Sequence, residues 1–151
     1  MSSVPNDLAG SGVQGDRLKF QPDTLDGVNA ISRLEASRIW VHQTPFESSL
    51  LVPWVGTVAP WAAWQTSDLR PEHFEQMLAF KPELVILGSG ARLSFVSPAQ
   101  YRVLIEHRIG IETMDTAAAC RTYNVLVNEG RKVLGAFMVG KAPAEPDNSA
   151  S

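Results

Sequence analysis

Cysteine is almost absent: Cys120 is the single thiol in 151 residues. A lone thiol excludes an intramolecular disulfide and cannot build a zinc site by itself. It points to a reducing compartment, and the cytoplasm is the expected location. Positive charge is not in surplus. Lys and Arg number 13 against 16 Asp and Glu, for a formal net charge of -3. The basic residues are scattered, so no nucleic-acid partner is expected. Long apolar runs are missing as well. A membrane helix needs roughly 18 or more apolar residues in succession. The best stretch, SLLVPWVGTVAPWAAW, is broken by two prolines and a glycine, so no membrane-spanning segment is expected. The opening MSSVPNDLAGSGVQGD has neither the basic nor the apolar region of a secretory signal. Neither HExxH nor CxxC occurs, and no metal or cofactor is expected.

What is present is a globular composition, 44% apolar and 19% charged. Residues 1–16 and 141–151 are rich in small and polar types and read as loose ends. Residues 17–140 read as a single domain. Its first half suggests strands at 17–20, 28–36, 38–43, 49–53 and 56–61, bounded by turn residues. Pro53 and Pro60 argue against central positions in regular ladders.

The second half changes period. PEHFEQMLAF (71–80) reads as a helix with Pro71 in its first turn. Phe74, Met77 and Leu78 form its apolar face. ELVILG (83–88) is a continuous apolar run, as in a strand covered on both sides. SPAQYRVLIEHRIG (97–110) reads as a helix capped by Ser97 and closed by Gly110, with Tyr101, Leu104 and Ile105 buried. IET (111–113) and KVLGAFMV (132–139) are further strands. Strands alternating with helices predict parallel pairing and an α/β fold with helices packed across the sheet.

DTAAACRTYNVLVNEGR (115–131) carries the densest set of reactive side chains. Asp115 is placed to cap a helix that Gly130 ends. Ala119, Tyr123 and Leu126 share a core-facing stripe, with Val127 at its edge. Cys120 would need a base and a lowered pKa to act as a nucleophile, and the sequence supplies neither, so it reads as a buried small residue. Arg121 is open to three roles: facing solvent, pairing with Asp115, or reaching over the carboxyl edge of the sheet. Asn124 bonds locally or reaches a loop.

The second polar feature is GSGAR (88–92). Gly88 and Gly90 permit close approach or unusual backbone angles. The loop lacks the third glycine of GxGxxG and the Lys-Ser/Thr of a P-loop. A candidate anion or ligand site therefore comprises Gly88, Ser89, Gly90, Arg92, Asp115 and Arg121, with no catalytic residue assigned.

Two blocks, PELVILGSGARLSF (82–95) and GIETMDTAAACRTYNVLVNEGR (110–131), together resemble the MTH938-like family, a domain of unknown function numbered 498. SLLVP and a following tryptophan, Trp61 or Trp64, match the earlier part of the pattern. The resemblance covers residues 28–139. It implies a compact three-layer α/β fold with a mixed central sheet and a β-rich N-terminal half. It implies no reaction, metal or cofactor. Eukaryotic members include a mitochondrial complex I assembly factor. The resulting expectation is a non-catalytic protein-interaction or assembly factor with a protein partner or a homodimer. A small-anion or metabolite-binding protein, or an enzyme using the Gly88–Arg92 loop, is the alternative. Trp54, Trp61 and Trp64 either form a recognition surface or seal the core.

Overall fold

The computed structural model describes residues 18–19 and 27–141. Apart from Lys141, the expected loose ends lie outside the described residues. The N-terminal half is a meander of four antiparallel strands: β1 (Leu18–Lys19), β2 (Ile31–Glu35), β3 (Arg38–Val41) and β4 (Thr44–Phe46). A second sheet has the order β6-β5-β9-β7-β8. Its members are β5 (Leu50–Pro53), β6 (Ala59–Pro60), β7 (Leu84–Gly88), β8 (Gly110–Met114) and β9 (Val133–Phe137). The sheet is mixed. β5 pairs antiparallel with β6 and β9, while β7 pairs parallel with β8 and β9. The two prolines obey their chemistry: Pro53 ends β5 and Pro60 lies in the edge strand β6.

Among the described residues there are three α-helices, α1 (Pro71–Glu75), α2 (Arg102–Glu106) and α3 (Thr116–Asn128). Between β7 and β8 the chain moves outward through α2, and between β8 and β9 it returns past β7 through α3. Right-handed crossovers made in opposite directions place their helices on opposite faces. The cores confirm that division. Ile86, Val133 and Phe137 pack with Ala119, Cys120, Tyr123 and Val127 of α3 and with Ile31, Ile39 and Val41 of the meander. Val85, Leu87, Leu134 and Ala136 pack with Phe74, Met77 and Leu104 on the other face. Adjacent residues of a strand point to opposite faces, so a sheet covered twice requires the continuous apolar runs ELVILG and KVLGAFMV.

Two of the three tryptophans seal the core. Trp61 is buried against the α1 and α2 side, and Trp54 is partly buried against the α3 side. Trp64 is partly buried.

The helix expected over 97–110 is shorter. Ser97 starts a turn, its carbonyl accepting from the Gln100 amide at 2.9 Å. The helix begins at Arg102 after Tyr101. So short a helix buries Leu104 and leaves Ile105 55% exposed, removing it from the expected stripe. Arg108, at φ +58, takes the left-handed position expected of Gly110. Gly110 instead opens β8 opposite Leu84.

Helix α3 follows the expected capping. Asp115 accepts from the Ala118 amide at 2.9 Å, and the Arg131 amide returns to the Leu126 carbonyl past Gly130, at φ +85. Its polar side chains reach farther than helix periodicity shows. The Asn124 side chain accepts from the Ile31 amide and donates to the Ile31 carbonyl, both at 2.9 Å. The Tyr123 hydroxyl donates to the Pro53 carbonyl at 2.8 Å. The same carbonyl accepts from the Asn29 side chain at 2.8 Å. One turn of α3 thus grips both sheets.

Replacing Asn124 by Ala strands a buried amide and carbonyl of Ile31. It should lower the unfolding free energy by about 3 kcal/mol. Ser97→Ala removes no helix cap and should stay within about 0.5 kcal/mol. Urea denaturation of the two purified variants measures both, and equal losses would contradict this assignment.

Candidate functional site

Strands β7, β8 and β9 end together, with Gly88 in register with Met114 on one side and Phe137 on the other. Just beyond, the chain is tied into a knot of short hydrogen bonds. The Ser89 amide donates to the Met114 carbonyl at 2.8 Å, and the Met138 amide donates to the Gly88 carbonyl at 2.9 Å. The Thr116 hydroxyl accepts from the Gly90 amide at 2.8 Å and donates to the Met138 carbonyl at 2.9 Å. The Thr116 amide donates back to the Gly90 carbonyl at 2.9 Å. Helix α3 therefore starts in close contact with the strand ends.

That closeness explains Gly88. A Cβ there would lie 2.8 Å from both the Thr116 Cα and its hydroxyl oxygen, and 3.1 Å from the Ala119 Cβ. Gly90 answers a different need, a backbone φ of +105°. The Ser89 hydroxyl donates to the Arg92 carbonyl at 2.8 Å and accepts from the Ser94 amide at 3.0 Å. It braces its own loop.

Beside the knot lies a cavity of about 310 Å³. Residues 90–91 and 115–117 line one side, residues 34–36 of the β2–β3 hairpin another, and Trp64 with residues 138–140 the rest. Of the six expected site residues, Gly90 and Asp115 border it. Gly88 and Ser89 act in the supporting knot. Arg92 and Arg121 are exposed and lie outside the lining, so the two guanidiniums do not meet there. Sequence reasoning missed Thr116, whose buried hydroxyl follows directly after the cap residue. It also missed residues 34–36, which approach only through the tertiary packing of the two sheets.

Trp64 is positioned by a carboxylate. Asp68 accepts from the Trp64 amide at 2.9 Å and the Gln65 amide at 3.2 Å. The bond from the Trp64 amide is the chief reason its pKa lies below the ordinary carboxylate value, against a smaller opposing effect of burial. Cys120 and Tyr123 titrate in the opposite sense. Burial pushes the thiol and the phenol far above their ordinary values. Both side chains belong to the core beneath α3. Among the described residues, no three His, Cys, Asp or Glu side chains gather as a metal site. No described helix is long and apolar enough to cross a membrane.

Residues 31–138 match the family described as "Protein of unknown function (DUF498/DUF598)". The chain belongs to this family. It is 33% identical over 155 residues to bovine NADH dehydrogenase [ubiquinone] 1 alpha subcomplex assembly factor 3, covering 92% of this chain and 83% of the relative. Its match to the mouse protein of the same name spans about half of that relative's length, 45%. The crystal structure of a Bordetella parapertussis protein superimposes with a TM-score of 0.71 at 33% identity, covering 78% of this chain and 99% of that one. The solution structure of a Bordetella pertussis Mth938-like domain also gives 0.71, at 27% identity over 83% and 95% of the two chains. The MTH938-like resemblance and the mixed-sheet α/β fold both hold.

Two measurements probe the DUF498 strand-end knot. Thr116→Val leaves the Gly90 amide and the Met138 carbonyl without their shared hydroxyl, and should cost about 2 kcal/mol in denaturant unfolding. A loss near zero would show that the knot is not structural. For Asp68 the sign is fixed by its lowered folded pKa. Its contribution to stability is present above the ordinary carboxylate value and is lost as pH falls through the lower folded value. Asp68→Asn should therefore flatten the acid limb of the stability–pH profile, read from melting temperatures between neutral and strongly acidic pH. An unchanged limb would contradict the assignment.

Proposed function

We propose that this DUF498 protein is a non-catalytic interaction or assembly factor acting in the cytoplasm. The observation that carries the reading is a braced apolar prong. After β7, the loop presents Phe95 at 78% exposure and Leu93 at 50%. An exposed Phe on a slack loop would carry little meaning, because binding would have to order the loop as well. This loop is already ordered by its own contacts. Ser89 bonds to both Arg92 and Ser94, and the Ser94 hydroxyl lies 2.6 Å from that of Thr66. Val96 packs into the α1 and α2 core immediately after Phe95. A rigid loop holding an aromatic in water suits insertion into an apolar socket on another protein. Arg92 beside the prong favours an acidic rim on that socket. The similarity to a bovine protein whose name is that of an assembly factor supports the same reading. So does the burial of Cys120 and Tyr123, which keeps the most reactive side chains of α3 away from the surface.

The test compares the wild-type chain with Phe95→Asp. A protein retained by immobilised wild type should be lost by the variant, while both melt at the same temperature within about 2 °C, as for an exposed substitution. Retention of the same proteins by both chains, or of none by either, would overturn the reading. Light scattering over a concentration series identifies the partner as a second copy if the wild type self-associates and the variant does not.

A further inference from the structure

The cavity beside α3 has a chemistry that its position alone would not suggest. Strand ends facing a helix start commonly receive anions, because unused amides point at the ligand. Here four of the bordering amides are already occupied. Those of Gly90 and Thr116 bond to each other's residue, the Met138 amide bonds to Gly88, and the Val139 amide bonds to the Ser49 hydroxyl at 3.1 Å. The Thr116 hydroxyl is used as donor and acceptor. The Trp64 Nε1 is buried away from solvent without a hydrogen-bond partner, so the indole offers the cavity its apolar surface.

Among the described residues, the ionisable side chains that line the cavity are Glu35 and Asp115, and no lysine, arginine or histidine joins them. Asp115 uses Oδ1 to cap α3, and Glu35 uses Oε2 to hold Arg33 at 2.8 Å. Arg33 offsets part of the charge of Glu35 from outside the lining, and the start of α3 offsets part of that of Asp115. The side-chain groups left to a ligand are hydrogen-bond acceptors. A carboxylate or phosphate entering here would meet like charge and find no cationic side chain. A molecule with an apolar body and a strong donor would match both the walls and the rim.

We infer that this cavity is a binding site for a small organic amine, its apolar body against Trp64 and Met138 and its protonated nitrogen directed at Glu35 and Asp115. The site is separate from the Phe95 prong and does not depend on it. The ammonium supplies donors without acceptors, which is the complement of the rim.

The experiment is an amide NMR titration of the full chain with n-hexylamine, with n-hexanol and hexanoate as probes of the same apolar length. Hexylamine should shift the amide signals of Ala91, Ala117 and Gly140, bind about tenfold more tightly than hexanol, and exclude hexanoate. Asp115→Asn retains a capping oxygen. Combined with Glu35→Gln, it should weaken hexylamine about tenfold and leave hexanol unchanged. Ala117→Leu, which fills the cavity from a helical position, should abolish binding of both, while Phe95→Asp should alter neither. Equal affinity for hexylamine and hexanol, preference for hexanoate, shifts located elsewhere, or no shifts with any probe would each overturn the inference.

Discussion

The architecture depends on a buried side-chain amide. Asn124 meets Ile31 as a neighbouring strand would, accepting from its amide and donating to its carbonyl. The partner is a helix in place of a strand, so the first residue of β2 is satisfied without extending its ladder. Buried backbone groups must be paired. The pairing therefore fixes where the meander lies over α3, not only that it lies there. Tyr123, the preceding residue, reaches the Pro53 carbonyl at the end of β5. Two successive side chains of one helix thereby join the four-stranded and five-stranded sheets. The apolar contacts of Ile39 and Val41 supply area without direction, and these hydrogen bonds supply the register.

The cavity follows from that arrangement. Its strand-end wall exists because Gly88 lets Thr116 approach, and another wall is the end of the β2–β3 hairpin at residues 34–36, which the Asn124 clamp brings across. The outward prong has another origin. Phe95 stands at the far end of the loop that Ser89 braces, and Val96 anchors the chain behind it. One polar loop thus separates the cavity from the exposed aromatic. Gly88 serves close packing, Gly90 serves the turn, and Phe95 stands exposed.

Much of this was legible in the sequence because it arose from local rules. Continuous apolar runs identified β7 and β9 as strands covered on both faces, and Asp115 and Gly130 bounded α3. The helix over 97–110 misled because Ser97, Pro98 and Gln100 suit a turn as well as a cap. Tertiary packing then left only Arg102–Glu106 helical. The tryptophans were ambiguous for a related reason: an aromatic between prolines has no periodicity to say which way it faces. Arg92 in the glycine loop and Arg121 on α3 suggested an anion site, yet the direction of a side chain on an exposed loop or helix is not encoded by spacing. Asn124 was the least legible feature. Its partner lies 93 positions earlier, and no local pattern marks such a pairing.

Amide hydrogen exchange at Ile31 tests the central claim most directly, because its amide bonds to the Asn124 side chain. If the clamp unites the two sheets, Ile31 should exchange only with global opening, at the rate of the central-strand amides of Ile86 and Leu134. Rapid exchange at Ile31 while those amides remain protected would show that the meander opens on its own, and would contradict the account.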